Sequence, residues 1–382
     1  MIRDEAAAAP ADPLESVLRD YDFELPEDRI AQTALAEREA SRLLVVARET
    51  GSIVEPERDH RVRDLPQWLS PGDLLVVNAT RVVPARLLGR KKSGGLAEAL
   101  LLGRDESPGA RPGEYRALVK LTGRVRPGLA LEFRRPEAAS GEYPVVEGEI
   151  VALHGRGEVT LRFGDDVDPH SVGIAPLPPY IRRAQAESPA ADLERYQTVF
   201  AREPGAIAAP TAGLHLTQPL LARLRAQGVE TAELVLHVGA GTFRPLDEAA
   251  WTSGRLHRER FELPDAVVAA IDRTRAAGGR IVAVGTTTTR VLESCVDARG
   301  SLRAGSGETD LFLRPGARFR VVDALLTNFH LPRSSLLMLV AAFVGREAIL
   351  AAYRHAIAHG FRFYSYGDAM LILPSRGAAH AR

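Results

Sequence analysis

Cysteine is almost absent from this sequence. The 382 residues include only one, Cys295, so the chain can form neither an intramolecular disulfide nor a cluster of thiolate ligands for zinc or an iron–sulfur centre. Ten histidines remain as potential ligands, but the chain contains no His-Glu-x-x-His motif. We therefore expect no bound metal.

Long apolar runs and an excess of one charge are also missing. The longest uninterrupted apolar stretch, Leu336 to Val344, is too short to cross a bilayer, and no basic segment followed by an apolar one opens the chain. We therefore expect a soluble, cytoplasmic protein, and we expect it to be a monomer. Lysine plus arginine equals aspartate plus glutamate at 49 each, so a nucleic-acid partner would have to bind a local basic face.

The order of the secondary-structure signals predicts a tail followed by two folded domains. Residues 1–20 have no apolar periodicity and are expected to form a disordered tail. From Tyr21 the pattern predicts a short strand, a helix that begins near Pro26 and a strand over Arg42–Ala47. Between Gly72 and Phe163 six or seven short strand-like segments are separated by Gly, Pro and Ser turns, which predicts a small antiparallel β-barrel.

After Asp165 helical and strand patterns alternate, as they do in α/β proteins. Such alternation favours a largely parallel sheet that is covered on both faces. We therefore predict an α/β fold: a discontinuous domain with a mixed or parallel sheet, residues 21–70 plus 166–382, and an inserted antiparallel β-barrel domain, residues 71–165. The predicted helices span residues 192–201, 217–227, 264–277, 287–297, 334–344 and 347–359.

A polar elbow between two apolar runs is a candidate site. The segment from Thr327 to Ser334 follows a predicted strand, precedes a predicted helix and contains Asn328 and His330. Ser334 or Ser335 can cap the helix, and the free amide groups at a helix N-terminus attract anionic ligands. Spacing alone favours an ordinary strand-to-helix turn, since any α/β domain has several, but the pattern recurs in this chain.

Two further elbows have the same design. Thr211 and His215 precede a helix that a threonine can cap, although a lone histidine beside apolar residues more often belongs to a core. Thr286 or Thr287 can cap the helix that follows another apolar strand, where exposed amide groups would suit a carboxylate or phosphate. No lysine is present there, so this is not a nucleotide-binding P-loop.

The remaining elbow is rich in glycine. A strand ends at His237 and runs into Gly239, Gly241 and Thr242, a loop whose amide groups can approach a ligand closely or which forms a structural turn. The third glycine of a dinucleotide fingerprint is missing, because position 244 is arginine. We therefore expect no nicotinamide cofactor.

Other polar residues have competing interpretations. Arg290 and Glu293 lie three apart on a predicted helix, which suits a plain surface ion pair or a ligand contact, and Tyr366 and Asp368 precede the last strand. Cations also line a barrel strand, where they either keep a sheet edge solvated or contact the phosphates of an RNA. These cations are Arg81, Arg86, Arg90 and Lys92.

Eight segments together carry a resemblance to a known family. In chain order they read PGDLLVVNATRVVPARLLGRKKSGG, PLPPYIRR, RYQTVFAREPGAIAAPTAGLHL, LHVGAGTFRPL, LHRERFEL, VAVGTTTTRVLES, VVDALLTNFHLPRSSLLMLV and FYSYGDAM. They resemble the S-adenosylmethionine:tRNA ribosyltransferase-isomerases of the queuosine pathway and cover nearly the whole chain after the tail. No single segment is decisive, but eight in the same order are highly specific.

This resemblance implies an enzyme that transfers and isomerises the ribosyl group of S-adenosylmethionine. The acceptor would be 7-aminomethyl-7-deazaguanine at the wobble position of a tRNA, and the products would be epoxyqueuosine, adenine and methionine. S-adenosylmethionine would be a consumed substrate, so no cofactor is expected, and the partners would be this substrate and the modified tRNA, with no membrane. The family's fold, an α/β domain with a six-stranded barrel, agrees with the predicted division.

The reaction implied by the resemblance suggests roles for residues in the matching segments. The 5′-carbon beside the sulfonium must lose a proton, for which histidine titrates in a suitable range; the candidates are His215, His237, His257 and His330. The methionine carboxylate suits the helix N-terminus at Thr286 and Thr287. The other candidate substrate contacts are Thr211, Gly239, Gly241, Thr242, Arg290, Glu293, Asn328, Phe329, Tyr366 and Asp368.

The chain departs from the usual family pattern at Ala79, Thr288, Arg314 and Ala341. Ala79 and Ala341 stand where the family usually has a polar residue, which leaves open a diverged member that binds RNA without catalysing the reaction. An unrelated enzyme acting on a nucleotide or sugar phosphate is a further alternative. The four histidines argue against the first alternative, and the missing Gly-Lys-Ser/Thr and Gly-x-Gly-x-x-Gly motifs argue against the second.

Overall fold

The protein, seen in a computed structural model, is described over residues 13–135, 145–183, 189–239, 241 and 246–374. These residues divide into two units. The first unit is drawn from Met1–Asn78, Thr211–Leu234 and Arg244–Arg382, and the second from Ala79–Pro210 and Val235–Phe243.

Within the described residues, regular structure consists of strands β1–β16 and helices α1–α8. The strands are β1 Leu43–Ala47, β2 Leu74–Asn78, β3 Thr80–Val82, β4 Arg86–Lys91, β5 Leu96–Arg104, β6 Glu114–Leu121, β7 Leu129–Phe133, β8 Val146–Gly155, β9 Glu158–Arg162, β10 Glu203–Ala206, β11 Glu230–Leu236, β12 Arg255–Leu263, β13 Ile281–Val284, β14 Gly305–Leu311, β15 Ala324–Asn328 and β16 Ala369–Leu373. The helices are α1 Pro13–Arg19, α2 Pro189–Arg195, α3 Gln218–Ala226, α4 Glu248–Ser253, α5 Asp265–Ala276, α6 Thr286–Ser294, α7 Ser335–Val344 and α8 Arg346–Ala358.

Eight strands form the sheet of the first unit, in the order β1-β16-β15-β13-β2-β11-β12-β14. The central strands β15, β13, β2 and β11 are parallel, whereas β16 runs antiparallel to β15 and β12 pairs antiparallel with β14. The predicted mixed sheet is therefore confirmed. Every residue of β2, β13, β15 and β16 is buried, and strands buried on both faces read as unbroken apolar runs.

The carboxyl end of β2 is a topological switch point. From β11 on one side of β2 the chain crosses to β13 on the other side. In open α/β sheets ligands bind beside such a point, outside the carboxyl ends of the strands. Helix α6 starts directly after β13 and packs against β2 and β13, so its N-terminus lies at this edge.

The second unit contains a closed barrel of six antiparallel strands in the order β4-β5-β6-β9-β8-β7, which confirms the predicted barrel. Side chains alternate between interior and exterior along its strands, as β5 shows. The barrel core includes Leu87, Leu101, Tyr115, Phe133 and Phe163. Strands β3 and β10 form a separate parallel pair in this unit.

The bounds of the barrel differ from the predicted 71–165. Strand β2 belongs to the eight-stranded sheet, and the barrel runs from Arg86 to Arg162. The unbroken apolar run of β2 separates it from the alternating barrel strands. Residues 166–210 and 235–243 belong to the second unit, where β10 pairs with β3 and Ile207 N–H donates to Val238 O (2.8 Å).

The N-terminal segment also differs from the prediction. Residues 13–19, expected to be part of the tail, form α1, whose Leu14 and Leu18 are buried; residues 1–12 lie outside the described residues. No strand forms at Tyr21. The helix expected near Pro26 is a single 3₁₀ turn, Glu27–Arg29, because that turn has no buried residue to hold it against a core.

The predicted helices agree closely with α3, α5, α6, α7 and α8, and less well with α2. Helix α4 and strand β12 were not predicted, because the charged sequence of β12 lacks an apolar run. No single helix of the described chain is long and apolar enough to span a membrane. Helices α7 and α8 satisfy those two criteria only as a pair, and the chain bends by 113° between them.

Candidate active site

Polar groups gather where parallel strands of the first unit end. Strand β2 ends at Asn78, β15 ends at Asn328, and β13 leads through Gly285 into α6. Asn78 Nδ2 donates to Thr287 Oγ1 (3.4 Å), so the end of β2 contacts the first turn of α6. We call Asn78, Asn328 and the first turn of α6 the carboxyl edge.

The N-terminus of α6 has no side-chain cap. Its cap residue is Gly285, whose φ of 90° lies in the region that favours glycine, and no side chain accepts a hydrogen bond from the first turn. The prediction that Thr286 or Thr287 caps this helix is therefore wrong. The hydroxyls of Thr288 and Thr289 donate instead to carbonyls of the preceding turn (2.8 and 3.1 Å). Uncapped amide groups and the helix dipole suit this end of α6 to an anion.

Asn328 joins three segments of the first unit. Its Nδ2 donates to His215 Nε2 (3.0 Å) and to the carbonyl of Tyr364 (3.0 Å), and its Oδ1 accepts from Thr211 Oγ1 (3.1 Å). The predicted site residues Thr211, His215 and Asn328 are thus brought together. Asn328 is buried, so its amide has exchanged contact with water for these three bonds.

The orientation of the Asn328 amide fixes the tautomer of His215. A carbonyl oxygen only accepts hydrogen bonds, so the atom facing Tyr364 O must be Nδ2. His215 Nε2 therefore accepts a hydrogen bond, and the ring carries its proton on Nδ1. Burial lowers the pKa of His215 to about 3, with further lowering by the Arg362 and Arg38 guanidinium groups, so the ring is neutral at pH 7.

His330 is also held as a neutral ring. Its Nε2 lies 2.8 Å from Thr327 Oγ1, and its backbone N–H donates to the hydroxyl of Tyr353 (2.9 Å). Burial lowers the pKa of His330 to about 4. Ser334 caps α7 by accepting from Leu337 N–H (3.2 Å), which confirms the predicted cap.

His237 lies in the second unit and is half-buried. Its Nδ1 is 2.8 Å from Thr80 Oγ1, and no described residue hydrogen-bonds to its Nε2. Burial lowers the pKa of His237, and the Glu203 carboxylate opposes that shift. The ring packs on the backbone of Gly205, where a Cβ would lie 2.8 Å from His237 Nδ1 and Cε1. Gly239 and Gly241 follow His237 in this unit, and Thr242 lies outside the described residues.

One predicted site residue, His257, lies far from the carboxyl edge, and another, Phe329, lies inside the core. His257 is exposed on β12, four strands along the sheet from β15, which corresponds to roughly 19 Å at the usual strand spacing. Phe329 is fully buried, with its ring centroid 4.9 Å from that of Phe363. A ring in that position has no face available for a base, so the predicted stacking role of Phe329 is wrong.

The predicted pairing of Arg290 with Glu293 is also wrong. Arg290 forms a buried ion pair with Glu259 on β12 and donates to Leu311 O (3.0 Å). Glu293 accepts from the backbone N–H groups of Arg320 (2.8 Å), Val321 (3.0 Å) and Val322 (2.9 Å). Both side chains therefore tie α6 to other segments of the first unit, a role that their spacing on one helix does not reveal.

The segment before β16 contacts the carboxyl edge through the bond between Tyr364 O and Asn328. Asp368 accepts from the backbone N–H groups of Arg42 (2.9 Å) and Arg362 (2.7 Å), a structural role that differs from the predicted contact with a base edge. Tyr366 is buried close by in the chain. Tyr364 adopts a φ of 72°, unusual for an aromatic residue, and in this conformation its carbonyl accepts from Asn328. Such strain is often found at functional sites.

Most of the predicted RNA-binding cations are already engaged within the second unit. Arg86 forms two bonds with Glu98 (3.0 and 3.2 Å), and Lys92 pairs with Glu147 (2.9 Å). Arg81 donates to Ala201 O (3.3 Å). Arg90 is exposed. The contact of these four cations with RNA stays a prediction.

Four residues of these sites were not predicted from the sequence: Asn78, Thr80, Gly205 and Tyr364. Asn78 and Thr80 lie on either side of a strand break in the segment VVNATRV, and Gly205 follows a proline in REPGAI. A polar residue at the end of an apolar strand was the available signal for Asn78. The left-handed φ of Tyr364 has no signal in the sequence, because nothing in FYSYG distinguishes it from an ordinary turn.

No group of three or more His, Cys, Asp or Glu side chains within the described ranges converges closely enough to hold a metal ion. One histidine pair does have the i, i+4 spacing of helical metal ligands: His355 and His359 on and after α8. Their rings stack with centroids 3.9 Å apart, and His359 Nδ1 is bonded to His355 O (2.8 Å).

Comparisons with known proteins agree on one family. The model of the family described as "Queuosine biosynthesis protein" matches residues 18–372. The chain is 50% identical to the S-adenosylmethionine:tRNA ribosyltransferase-isomerase of Syntrophotalea carbinolica over 357 residues, which cover 93% of this chain and 99% of the relative. The enzyme of the same name from Thermus thermophilus is also 50% identical, over 358 residues with the same coverage.

A solved structure shares the fold. The crystal structure of the S-adenosylmethionine tRNA ribosyltransferase from Thermotoga maritima is 35% identical to this chain, with a TM-score of 0.52 and coverage of 93% of this chain and all of the other. A sequence identity of 35% means that more than the fold is shared. The family model also spans nearly the whole sequence. The chain is therefore a member of the queuosine biosynthesis protein family of S-adenosylmethionine:tRNA ribosyltransferase-isomerases.

Proposed function

We propose that this protein is an S-adenosylmethionine:tRNA ribosyltransferase-isomerase. It transfers the ribosyl group of S-adenosylmethionine to 7-aminomethyl-7-deazaguanine at the wobble position of a tRNA and releases adenine and methionine. S-adenosylmethionine is consumed, so the reaction needs no separate cofactor. The observation that carries the proposal is the uncapped N-terminus of α6 at the topological switch point, within a chain of this family.

The α6 N-terminus is the proposed site for the methionine carboxylate. The backbone N–H groups of Thr286 and Thr287 lie in the first turn, where intrahelical acceptors are lacking. A side-chain cap would compete with a ligand for these groups, and the cap residue is glycine. Thr288, where the chain departs from the usual family pattern, donates its hydroxyl to Val284 O (2.8 Å), so this departure leaves the helix N-terminus uncapped.

Among the candidate histidines, His237 of the second unit has the chemistry that removal of the 5′-proton needs. Removal of this proton requires a neutral ring with an available lone pair. The lone pair of His215 Nε2 accepts from Asn328, and the His330 ring is buried with its Nε2 against Thr327, whereas His237 is only half-buried. With Nδ1 of His237 donating to Thr80 Oγ1, its Nε2 would be the accepting atom.

His215 and His330 are assigned positioning roles at the carboxyl edge. Both are neutral at pH 7, with pKa values of about 3 and 4. His215, Thr211 and Asn328 form one bonded network, and Asn328 ends the strand next to β13. A fixed network of this kind orients the segments around a bound substrate without reorganisation during the reaction.

The departures at Ala79 and Ala341 are compatible with this activity. Ala79 contributes its carbonyl, which accepts from Arg202 N–H (2.8 Å) and Glu203 N–H (3.2 Å), and this contact does not depend on the side chain. Ala341 is buried within α7. Neither position removes a residue of the proposed chemistry.

The test combines the protein with S-adenosylmethionine and a tRNA that carries the aminomethyl-deazaguanine. The expected result is tRNA-dependent release of adenine and methionine in equal amounts, with a matching gain of mass on the modified nucleoside. The control uses the same tRNA with guanine at the wobble position, which should release neither product. Binding of the modified tRNA with no adenine release would refute the enzymatic proposal and favour a diverged RNA-binding protein.

A further inference from the structure

The turns at one end of the barrel carry cations and no carboxylates. The turn 92–95 joins β4 to β5, the loop 122–128 joins β6 to β7, and the turn 156–157 joins β8 to β9. We call these three segments the distal turns. Their sequences are KSGG, TGRVRPG and RG. The chain enters the barrel at Arg86 and leaves it at Arg162, both at the opposite end.

The distal turns form one surface. Lys91 Nζ donates to Thr122 O (2.7 Å), and Thr122 N–H donates to Leu96 O (3.2 Å), which joins the first turn to the second. Gly157 O accepts from Val119 N–H (2.9 Å), so the third turn lies beside the start of the second. The three turns therefore present their charges together.

The loop 122–128 crosses the barrel end. In the strand order of the barrel, β6 and β7 are separated by three steps in either direction, so they lie on opposite sides. A loop that connects them must span the opening, and it carries Arg124 and Arg126 across it. Lys120 precedes this loop, and all three side chains are exposed without an ion pair to any described residue. At a strand spacing of about 4.8 Å the barrel end is on the order of 10 Å across, within about one Debye length, so its charges act together.

Two connections at the opposite end of the barrel are acidic. The turn 105–113 and the exit segment 163–168 contain a single arginine, Arg111, against Asp105, Glu106, Asp165, Asp166 and Asp168. The third connection, which the structure describes only in part, begins with Arg134 and Arg135. Three carboxylates on the barrel strands are paired, Glu158 with Arg116 (2.6 Å), Glu98 with Arg86 and Glu147 with Lys92, whereas Glu149, next to the end of the loop 122–128, is exposed. The neutral net charge of the chain therefore conceals a barrel with one basic end.

We propose that the distal turns bind the sugar–phosphate backbone of the substrate tRNA, with Arg124 and Arg126 as the principal phosphate contacts. This inference rests on the proposed function for the identity of the RNA. It shares only Lys92 with the four cations that the sequence predicted, of which Arg86 and Lys92 form ion pairs. Phosphate contacts fix the position of an RNA without reading its sequence, and the short glycine-containing distal turns permit close approach of a backbone.

The test measures tRNA binding as a function of salt for Arg124→Gln/Arg126→Gln. The matched control, Arg111→Gln/Arg134→Gln, removes the same charge from exposed positions at the opposite end. We expect the first variant to bind tRNA about tenfold more weakly near physiological salt, with a slope of log affinity against log salt that is smaller by about 1.4–1.8. The control should match the wild type in affinity and slope, and Arg124→Lys/Arg126→Lys should retain most of both.

Activity measurements separate this inference from the proposed function. Adenine release by Arg124→Gln/Arg126→Gln should show a higher KM for tRNA, an unchanged KM for S-adenosylmethionine and an unchanged kcat at saturating tRNA. If the wild type releases adenine and the two Gln variants behave alike, the inference fails and the proposed function stands. If only Arg124→Gln/Arg126→Gln loses tRNA binding and the wild type releases no adenine, the inference stands and the proposed function fails. Salt-insensitive binding by the wild type would overturn the inference directly.

Discussion

Replacement of Asn328 by alanine tests the network at the carboxyl edge most sharply. The substitution removes three hydrogen bonds, to His215, Tyr364 and Thr211. It leaves the carbonyl of Tyr364 without this donor at a buried position. At about 1 kcal/mol for each bond, plus part of the cost of the unpaired groups, the free energy of unfolding should fall by about 3–5 kcal/mol.

The effect on activity should be separable from the effect on stability. Without Asn328, His215 Nε2 loses the donor that favours the Nδ1–H tautomer, and the 211–215 segment loses its bond to the end of β15. A misplacement of about 1 Å at a site can reduce the rate by about 100-fold. We expect kcat/KM for adenine release to fall by about that factor at temperatures well below the unfolding transition, as measured in parallel with urea denaturation.

Glu293→Ala is the matched control, because it also removes a side chain with three hydrogen bonds, here to backbone N–H groups of residues 320–322. This variant should lose stability by a similar amount and retain kcat/KM within a few-fold of the wild type. Wild-type turnover by the folded Asn328→Ala protein, or an equal loss of activity in both variants, would disprove this role of Asn328.

Three further predictions concern acid stability, the cradle of His237 and a buried ion pair. The pKa values of His215 and His330 are about 3 and 4 in the folded chain and about 6.5 when unfolded, so the unfolded chain binds more protons below pH 6.5. The free energy of unfolding should therefore fall as the pH drops from 6.5 towards 4, by up to about 1.4 kcal/mol per pH unit for each histidine; equal urea midpoints at pH 7 and pH 5 would contradict this. Gly205→Ala places a Cβ 2.8 Å from the His237 ring and should reduce adenine release at least tenfold. The control Gly305→Ala changes a glycine with a similar φ (155° against 150°) but with no atom near the new Cβ, and it should keep its activity. Equal activities of the two variants would argue against a catalytic role for His237. Glu259→Ala leaves the buried Arg290 guanidinium without its partner and should destabilise the protein by about 3–5 kcal/mol in urea denaturation, while a loss below about 1 kcal/mol would mean that water or another group replaces the carboxylate.

Features that depend on neighbouring residues were predictable from the sequence. Ser334 caps α7 because the cap bond reaches only to Leu337, and the helices after residue 217 follow from apolar periodicity and their flanking glycines. The barrel was predictable because its alternating strands and glycine turns recur at short spacing. Thr286 shows the limit of such local rules, since a threonine run can cap α6 but the hydroxyls of its last two members back-bond within the helix.

Features that depend on distant residues were not predictable. Asn328 and His215 are 113 positions apart, and they meet only because the 3₁₀ turn Thr211–His215 packs against β15 in the folded chain. Arg290 forms an ion pair with Glu259 on strand β12 instead of with Glu293 on its own helix, because the buried guanidinium requires a buried partner. Likewise, β2 was grouped with the barrel strands that follow it, since its partners β11 and β13 come more than 150 residues later in the chain.

The decisive measurement is the mass of the nucleoside that forms from S-adenosylmethionine with two deuterium atoms on the 5′-carbon. We expect the modified wobble base to gain a ribosyl-derived group that retains one of the two deuterium atoms, because a base of this protein removes the other. A nucleoside of unchanged mass, a gain that corresponds to a methyl group, or a ribosyl-derived group with both deuterium atoms would contradict this expectation.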